Sequence, residues 1–169
     1  NTISYLKRDG WSFINYLDTG NITVNDIDEI QYINLEEEKL PSRAKRKVKY
    51  NSIIYSTVRP DQHHYGIIKE QPENFLVSTG FAVIDVDAAV ADADFIYYWI
   101  TQSTITKKLQ SIAEQSVSAY PSIKTSDIES LEVDLPHLDE QKRIAKTLTS
   151  LDKKRKNNVQ INRNLPLVA

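Results

Sequence analysis

The stretch 116–165 reads SVSAYPSIKTSDIESLEVDLPHLDEQKRIAKTLTSLDKKRKNNVQINRNL and decides the fold of this chain. A polar loop and a short alternating apolar segment end at Pro136, and a long helical pattern follows. Asp139 and Glu140 lie in the first turn of that pattern, where negative charge interacts favourably with the helix dipole. No glycine or proline interrupts the pattern before Pro166, so it predicts a helix of roughly 26 residues, about 40 Å long.

One narrow apolar stripe runs along this predicted helix. Ile144, Leu148 and Leu151 follow one another at steps of four and three residues, the spacing of a coiled-coil seam. Ile161 and Leu165 extend the stripe towards the C-terminus. Because the rest of the helix is charged, the stripe predicts an antiparallel coiled coil with a second helix. The alternative is that the helix folds back on its own domain.

The length and composition indicate one globular domain with an appendage. The chain has 169 residues, of which 40% are hydrophobic. We place the domain at residues 1–136 and the long helix at residues 137–169. The absence of cysteine favours a reducing, cytoplasmic compartment. No apolar run approaches the ~18 residues of a membrane span, so no membrane partner is expected. Because the sequence begins at Asn1 and has no methionine, we expect a processed chain or part of a longer one.

Short β-branched and aromatic runs predict a β-rich domain of the α+β class. The predicted strands lie in the first 35 residues, at residues 52–58, in a strand pair around residues 67–68 and 75–77, at residues 81–86, and at residues 131–135. One packed helix is predicted to begin at Asp92 or Asp94. Its expected buried face comprises Phe95, Tyr98, Trp99, Gln102, Ile105, Leu109 and Ile112.

The charged residues are strongly segregated, although the net charge is only −2. Seven basic residues and no acidic residue occur between Lys39 and Pro60, and such segregation creates the local field that a polyanion would meet. The candidate DNA contacts in the densest part are Ser42, Arg43, Lys45, Arg46 and Lys47. Lysine and arginine pair with phosphates, and Arg43 could also span a guanine edge. The alternative is a surface loop with ordinary solubilising charge.

Three polar turns at predicted strand ends have a related character. They present small hydroxyls together with one larger side chain, which suits hydrogen-bond recognition of base edges. The candidate DNA contacts in these turns and in the loop that follows the last of them are Arg59, Ser78, Thr79, Ser118, Tyr120 and Lys124. The alternative is ordinary turn chemistry, because serine and threonine stabilise turns in most proteins.

Enzyme signatures are weak. The four glycines are too scattered for a phosphate-binding loop. His63 and His64 are adjacent and therefore point apart in an extended chain, which favours a loop-exposed polar pair over a metal site. Asp28 with Glu37 and Lys39 matches the acid and lysine spacing of metal-dependent nucleases, but such spacing arises easily in a highly charged chain and a solvated acidic face is the favoured interpretation. We predict no catalytic residue, no metal site and no cofactor.

Six segments, taken together and in order, carry a family resemblance. They are LPSRAK (40–45), YSTVRP (55–60), VSTGFAVI (77–84), SAYPSIKTSDIESLEVDLPHLDEQKRIA (118–145), LTSLDKK (148–154) and INRNL (161–165). They resemble the specificity subunit of type I restriction–modification enzymes, from about Tyr16 onward. The most specific block runs from Pro136 through Glu140, Gln141 and Lys142 into the helix.

The resemblance implies a DNA target-recognition domain followed by a spacer helix. Members of this family usually carry two such units in tandem, each reading half of a split DNA site, and their two spacer helices pack antiparallel. Methyltransferase subunits bind along this assembly, the restriction subunit joins through the complex, and the specificity subunit itself catalyses nothing. This chain has one unit and so resembles a half-subunit that pairs with a second copy or a second unit. Its helix departs from the family pattern at Arg155 and Asn157.

Two other functions stay open at the level of sequence. One is a protein-interaction module whose coiled coil tethers a complex without reading DNA. The other is a metal-dependent nuclease built on the acidic cluster around Asp28.

Overall fold

A computed structural model describes residues 3–116 and 120–164, and in it short strands precede a helical C-terminal part. The candidate residues Ser118 and Leu165 lie outside the described residues. The described strands are β1 Phe13–Leu17, β2 Ile22–Thr23, β3 Asp26–Ile27, β4 Gln31–Asn34, β5 Ala44–Lys47, β6 Ile53–Ser56, β7 Tyr65–Ile67, β8 Phe75–Ser78 and β9 Phe81–Ile84. The described α-helices are α1 Ala93–Ile100, α2 Ser103–Glu114, α3 Thr125–Glu129 and α4 Leu138–Asn164.

The first sheet has four strands in the order β4-β1-β8-β5. Strand β1 pairs antiparallel with β4 and parallel with β8, and β8 pairs antiparallel with β5. The N-terminal segment covers the outer edge of β5, since Tyr5 N donates to Lys45 O at 2.7 Å and Lys47 N donates to Ile3 O at 2.8 Å. This covering removes a free strand edge, which would otherwise favour aggregation. The segment predicted as a basic loop is therefore partly a strand.

The second sheet has three antiparallel strands in the order β7-β6-β9. Every residue of the central strand β6 is buried, which explains why its sequence is apolar without alternation. The predicted pairing of residues 67–68 with residues 75–77 is wrong, because β7 pairs with β6 and β8 belongs to the first sheet. Strands β2 and β3 form a separate small hairpin.

The single packed helix predicted after Asp92 is divided into α1 and α2. Of the two predicted caps, Asp92 is the N-cap, and its carboxylate accepts a hydrogen bond from Phe95 N at 3.0 Å. The buried face differs from the prediction in α1, where Tyr97 and Ile100 are buried instead of Phe95 and Tyr98. In α2 the predicted Leu109 is buried. Residues 131–135 form no strand. Their alternating apolar and polar residues fit a strand locally, but a strand also needs a neighbouring strand to pair with.

Helix α4 has 27 residues, close to the length that its sequence predicts. One face of its N-terminal half packs against α1, where Gln141 is 1% exposed and Ala145 is 3% exposed. The predicted apolar stripe lies on a neighbouring face, and its residue Leu151 is 59% exposed. Ile144 and Leu148 are half-buried, so the helix packs on its own domain and also presents a partly exposed apolar stripe. No described helix combines the length and the hydrophobicity needed to cross a membrane.

Candidate nucleic-acid interface

Four segments that are distant in the sequence meet along one edge of the domain. Arg43 O accepts a hydrogen bond from Thr79 N at 2.9 Å. Gly80 O accepts from Thr57 N at 2.8 Å and from Thr57 Oγ1 at 2.9 Å. Thr57 O in turn accepts from Ile123 N at 2.8 Å. These backbone bonds form a continuous line, which we call the recognition edge; it comprises Arg43, Thr57, Arg59, Thr79, Gly80 and residues 120–123.

A fifth loop supports this edge and was not among the predicted sites. Thr19 lies so close to Gly80 that a Cβ atom at Gly80 would stand 2.8 Å from Thr19 Cγ2. Beside it, Asp18 accepts hydrogen bonds from Tyr16 OH and from Thr19 N, both at 2.9 Å. Burial alone would raise the pKa of Asp18, but these hydrogen bonds and the charge of Arg43 lower it on balance. The sequence showed these residues only as a turn.

Three of the predicted basic-segment residues face solvent. Ser42, Arg43 and Lys45 are exposed, and Arg43 stands at one end of the recognition edge. Its guanidinium carries a fixed positive charge, and the neighbouring Asp18 is the acid whose pKa it lowers. These side chains are therefore accessible to a phosphate or a base edge.

The other two basic residues of the segment are engaged within the domain. Lys47 Nζ lies 2.9 Å from Asp9 Oδ2 and 5.1 Å from the centre of the Trp11 ring. The Arg46 guanidinium donates a hydrogen bond to the carbonyl of Phe81, and burial lowers its pKa. The acidic partner of Lys47 comes from outside the basic segment. The sequence of that segment therefore does not show that the charge of Lys47 is paired.

Half-buried Arg59 and exposed Tyr120 form a second group on the recognition edge. The Arg59 guanidinium carbon lies 5.4 Å from the centre of the Tyr120 ring, and Arg59 N donates to Pro121 O at 2.9 Å. Tyr120 is 63% exposed. The backbone of Arg59 is left-handed, with φ 47°, a strained conformation for a non-glycine residue that is typical of functional positions. A guanidinium stacked on an accessible aromatic ring is suited to contact with bases and phosphates.

The remaining candidates have different environments. Ser78 is fully buried, and its hydroxyl accepts a hydrogen bond from Gly80 N at 3.3 Å. Thr79 is half-buried, next to Ser78. Lys124 is exposed, and its backbone N donates to Asp127 at 2.7 Å at the start of α3. Ser78 therefore shapes the turn, whereas Thr79 and Lys124 have surface that a ligand could reach.

The two adjacent histidines have contacts within the domain. His64 Nδ1 lies 2.6 Å from Ile22 O, and the His63 ring meets Tyr65 edge-on. Within residues 3–116 and 120–164, no group of three or more histidine, cysteine, aspartate or glutamate side chains could hold a metal ion. The acidic β2–β3 hairpin faces the basic residues of α4, with Asp26 Oδ1 2.7 Å from Lys156 Nζ.

Comparison with solved structures identifies the fold. The crystal structure of the HsdS subunit from Thermoanaerobacter tengcongensis aligns with a TM-score of 0.79 at 21% sequence identity, covering 95% of this chain and 41% of that one. A second structure, reported as "Structural basis underlying complex assembly and conformational transition of the type I R-M system", aligns with a TM-score of 0.78 at 23% identity, again over 95% and 41%. The chain thus shares the fold of part of these two structures.

Comparison at the level of sequence shows the family. Residues 7–166 match the family described as "Type I restriction modification DNA specificity domain", and the chain belongs to this family. The chain is 29% identical over 154 residues to the type I restriction enzyme HindI specificity subunit of Haemophilus influenzae. That match covers 91% of this chain and 33% of the relative, so the chain spans about a third of the length of that protein.

Proposed function

We propose that this chain is a non-catalytic unit that recognises a specific sequence in double-stranded DNA for a type I restriction–modification system. The observation that carries the proposal is the recognition edge. Segments separated by up to about 80 residues converge there, and they present the exposed side chains of Arg43 and Tyr120 and the half-buried side chain of Arg59, with exposed Lys45 beside them. Base-reading side chains on rigidly supported loops are the usual arrangement for sequence recognition.

The candidate DNA-contacting side chains on the recognition edge and beside it divide into two groups by their chemistry. Lys45 and Lys124 are flexible point charges, so we assign them to phosphate contacts. Arg43, Arg59 and Tyr120 present planar groups, which can hydrogen-bond or stack on bases. Asp18, Thr19 and Ser78 hold the turns in place, and in this proposal they do not contact DNA directly.

The exposed stripe of α4 supports the second part of the proposal, that the chain acts as a half-subunit. Ile144, Leu148 and Leu151 would pack antiparallel on the same helix of a second copy or of a second recognition unit. Such pairing would place two recognition edges at a fixed separation, which suits a split site. Methyltransferase subunits would bind along the paired helices, with the restriction subunit joining through the complex, and these partners would carry the chemistry.

The salt dependence of DNA binding tests the assignment of the basic residues. We expect Lys45→Ala and Lys124→Ala each to reduce the slope of log affinity against log salt by about 0.9, because each variant loses one of the phosphate contacts whose formation releases counterions. Lys108→Ala, which removes an exposed charge from α2 away from the edge, is the matched control. Fluorescence anisotropy with a labelled duplex gives the slopes. Equal slopes in all four proteins would contradict the proposed interface.

Sequence specificity needs a separate measurement. The chain reconstituted with methyltransferase subunits should select a defined split sequence from a random duplex pool, read by sequencing of the bound or modified DNA. Arg59→Ala should relax the preference at particular bases, at about 1–3 kcal/mol for each lost base contact. Assembly with the methyltransferase but no selected sequence would favour the interaction module that does not read DNA.

A further inference from the structure

Helix α4 is attached to its own domain at its first turns by a buried glutamine. Gln141 Oε1 accepts a hydrogen bond from Asp92 N, and Gln141 Nε2 donates to Pro136 O, both at 2.9 Å. Asp92 is also the N-cap of α1. Both polar ends of the buried amide are therefore satisfied, and they fix the start of α4 against the start of α1.

Further along, α4 is held by a second set of contacts, which we call the clasp. The clasp comprises Tyr98 on α1, Asn25 and Asp26 at the β2–β3 hairpin, and Asp152 and Lys156 on α4. Tyr98 OH donates to Asp152 Oδ2 at 3.0 Å. Lys156 Nζ donates to Asn25 O at 3.0 Å and to Asp26 Oδ1 at 2.7 Å. The clasp is polar, and a cavity of about 250 Å³ lies beside it.

The clasp uses a different face of α4 from the apolar stripe. At about 100° per residue, Asp152 and Lys156 lie on the same face as Gln141. Leu151 lies roughly 100° from Asp152 around the helix, and Leu148, about 40° from Asp152, lies at the border between that face and the stripe. The clasp can therefore hold the helix to its domain while the stripe contacts a second helix.

We propose that the clasp fixes the direction of α4 relative to the recognition edge, with Asp152 and Lys156 as positioning residues that set the separation of the two DNA half-sites. The part that concerns DNA rests on the proposed function. From Gln141 to Gln160 the helix extends about 28 Å, so a pivot of about 10° moves its far end by about 5 Å. This exceeds the rise of one base pair, about 3.4 Å.

The partial exposure of the clasp makes its role separable from folding. The side chains of Lys156 and Asp26 are 36% and 72% exposed, and ion pairs with such exposure contribute little to folding stability. Gln141 and Ala145 are buried and hold the start of the helix. We therefore expect substitution of Lys156 to change the direction of α4 while the domain stays folded.

The distance between two spin labels measures this direction in the chain alone. The sequence has no cysteine, so Lys107→Cys on α2 and Asn157→Cys on α4, both exposed, give two unique labelling sites. Lys156→Glu places a negative charge opposite Asp26 and should shift or broaden the distance distribution by several ångströms. Lys154→Glu makes the same charge change at an exposed position and should leave the distribution unchanged. Adding Asp26→Lys to Lys156→Glu should restore an ion pair and narrow the distribution again.

An unshifted distribution in Lys156→Glu would overturn the proposal. In the reconstituted complex, a duplex pool with varied spacing between half-sites should then show a broader spacing preference for Lys156→Glu, by at least one base pair, with unchanged half-site sequences. A displaced helix with an unchanged spacing preference would overturn the DNA part. If the unmutated complex selected no sequence at all, the proposed function would fail, and the spin-label result would still decide whether the clasp directs α4.

Discussion

The residues of the recognition edge depend on close approaches that a single atom can disturb. Gly80 stands where the turn after β8 meets the loop of residues 18–20, and Thr19 occupies the space that a side chain at Gly80 would need. Ser78 and Asp18 complete the turn from the inside. The two arginines of the edge are thus supported by small residues that do not themselves contact a ligand in our proposal.

We predict that Gly80→Ala destabilises the chain by about 1–3 kcal/mol, because the new Cβ overlaps Thr19 Cγ2 and the loops must separate. DNA affinity should fall with it. Thr19→Ser removes that methyl group and should recover most of the loss in the double variant. Gly20→Ala is the control, since its Cβ meets no atom within 4 Å. Urea denaturation of the unmutated chain and the three variants measures the free energies of unfolding. An equal loss of stability in Gly20→Ala and Gly80→Ala would contradict the proposed overlap with Thr19.

A second residue-level prediction concerns alkaline pH. Burial, with a smaller contribution from Asp18, raises the pKa of Tyr16 to about 12, against about 10 in an unfolded chain. Between these values the unfolded chain loses a proton that the folded chain keeps, so stability is fully present below about pH 10 and falls as pH rises towards 12. Tyr98 behaves alike, with a pKa raised to about 12 mainly by burial.

We therefore expect Tyr16→Phe to lower stability at pH 7, because it loses the hydrogen bond to Asp18, and to flatten the decline between pH 10 and 12. Tyr32→Phe, which removes an exposed hydroxyl, should leave both quantities near those of the unmutated chain. Urea midpoints at several pH values measure the decline. A Tyr16→Phe chain that declined as steeply as the unmutated one would refute this linkage.

At the scale of elements, the junction of α1 and α4 joins two helices that the sequence presents as independent. Gln141 is buried and bonded at both ends of its amide, and Ala145 allows the two helices to approach closely. The junction makes the first turns of α4 part of the domain and leaves the later turns extending from it. The buried contacts of Gln141 attach the first turns of α4 to the domain, and in our proposal the clasp sets the direction of the helix.

We predict that Gln141→Ala lowers the free energy of unfolding by about 1–3 kcal/mol, because Asp92 N and Pro136 O lose their partner in a buried place. Lys142→Ala, at the adjacent exposed position, should change it by no more than about 0.5 kcal/mol. Chemical denaturation followed by circular dichroism provides both values. Similar small changes in the two variants would show that the amide contacts do not hold the helix.

At the scale of the whole molecule, one domain carries one long helix, α4, with a partly exposed apolar stripe. Leu151 and Ile161 are 59% and 58% exposed. A twofold dimer with the helices antiparallel is the simplest closed arrangement that covers the stripe. Such a dimer would read a palindromic split site, whereas a tandem pair of different units would read an asymmetric one. The polar residues Arg155 and Asn157 limit the apolar area, so we expect a dimer that dissociates on dilution.

We predict that Leu148→Asp together with Leu151→Asp gives a folded monomer, because charge in the seam opposes helix pairing. Lys146→Asp, on the opposite side of α4 by helical periodicity, should leave the dimer intact. Multi-angle light scattering across a concentration series distinguishes the species. An unmutated chain that stays monomeric at high concentration, without methyltransferase subunits, would contradict the dimer.

Local sequence patterns determined the features that depend on neighbours along the chain. They predicted the length of α4, the N-cap at Asp92 and the buried strand β6, because dipole, capping and burial act within a few residues. They also indicated the exposed stripe and the segments that carry Arg43 and Arg59. The family resemblance rested on the same segments.

Only the tertiary structure decided which distant residues meet. Strand β1 pairs in parallel with β8, and β7 pairs with β6 instead of the predicted β8. Both pairings depend on long-range contacts that the local spacing of apolar residues does not encode. Lys47 forms an ion pair with Asp9, which lies outside the basic segment. The domain-facing side of α4 is mostly polar, so hydrophobic spacing could not reveal it, and its partners at the clasp lie more than 50 residues away in sequence. Hydrogen bonds and ion pairs of this kind form only after packing has brought their surfaces together.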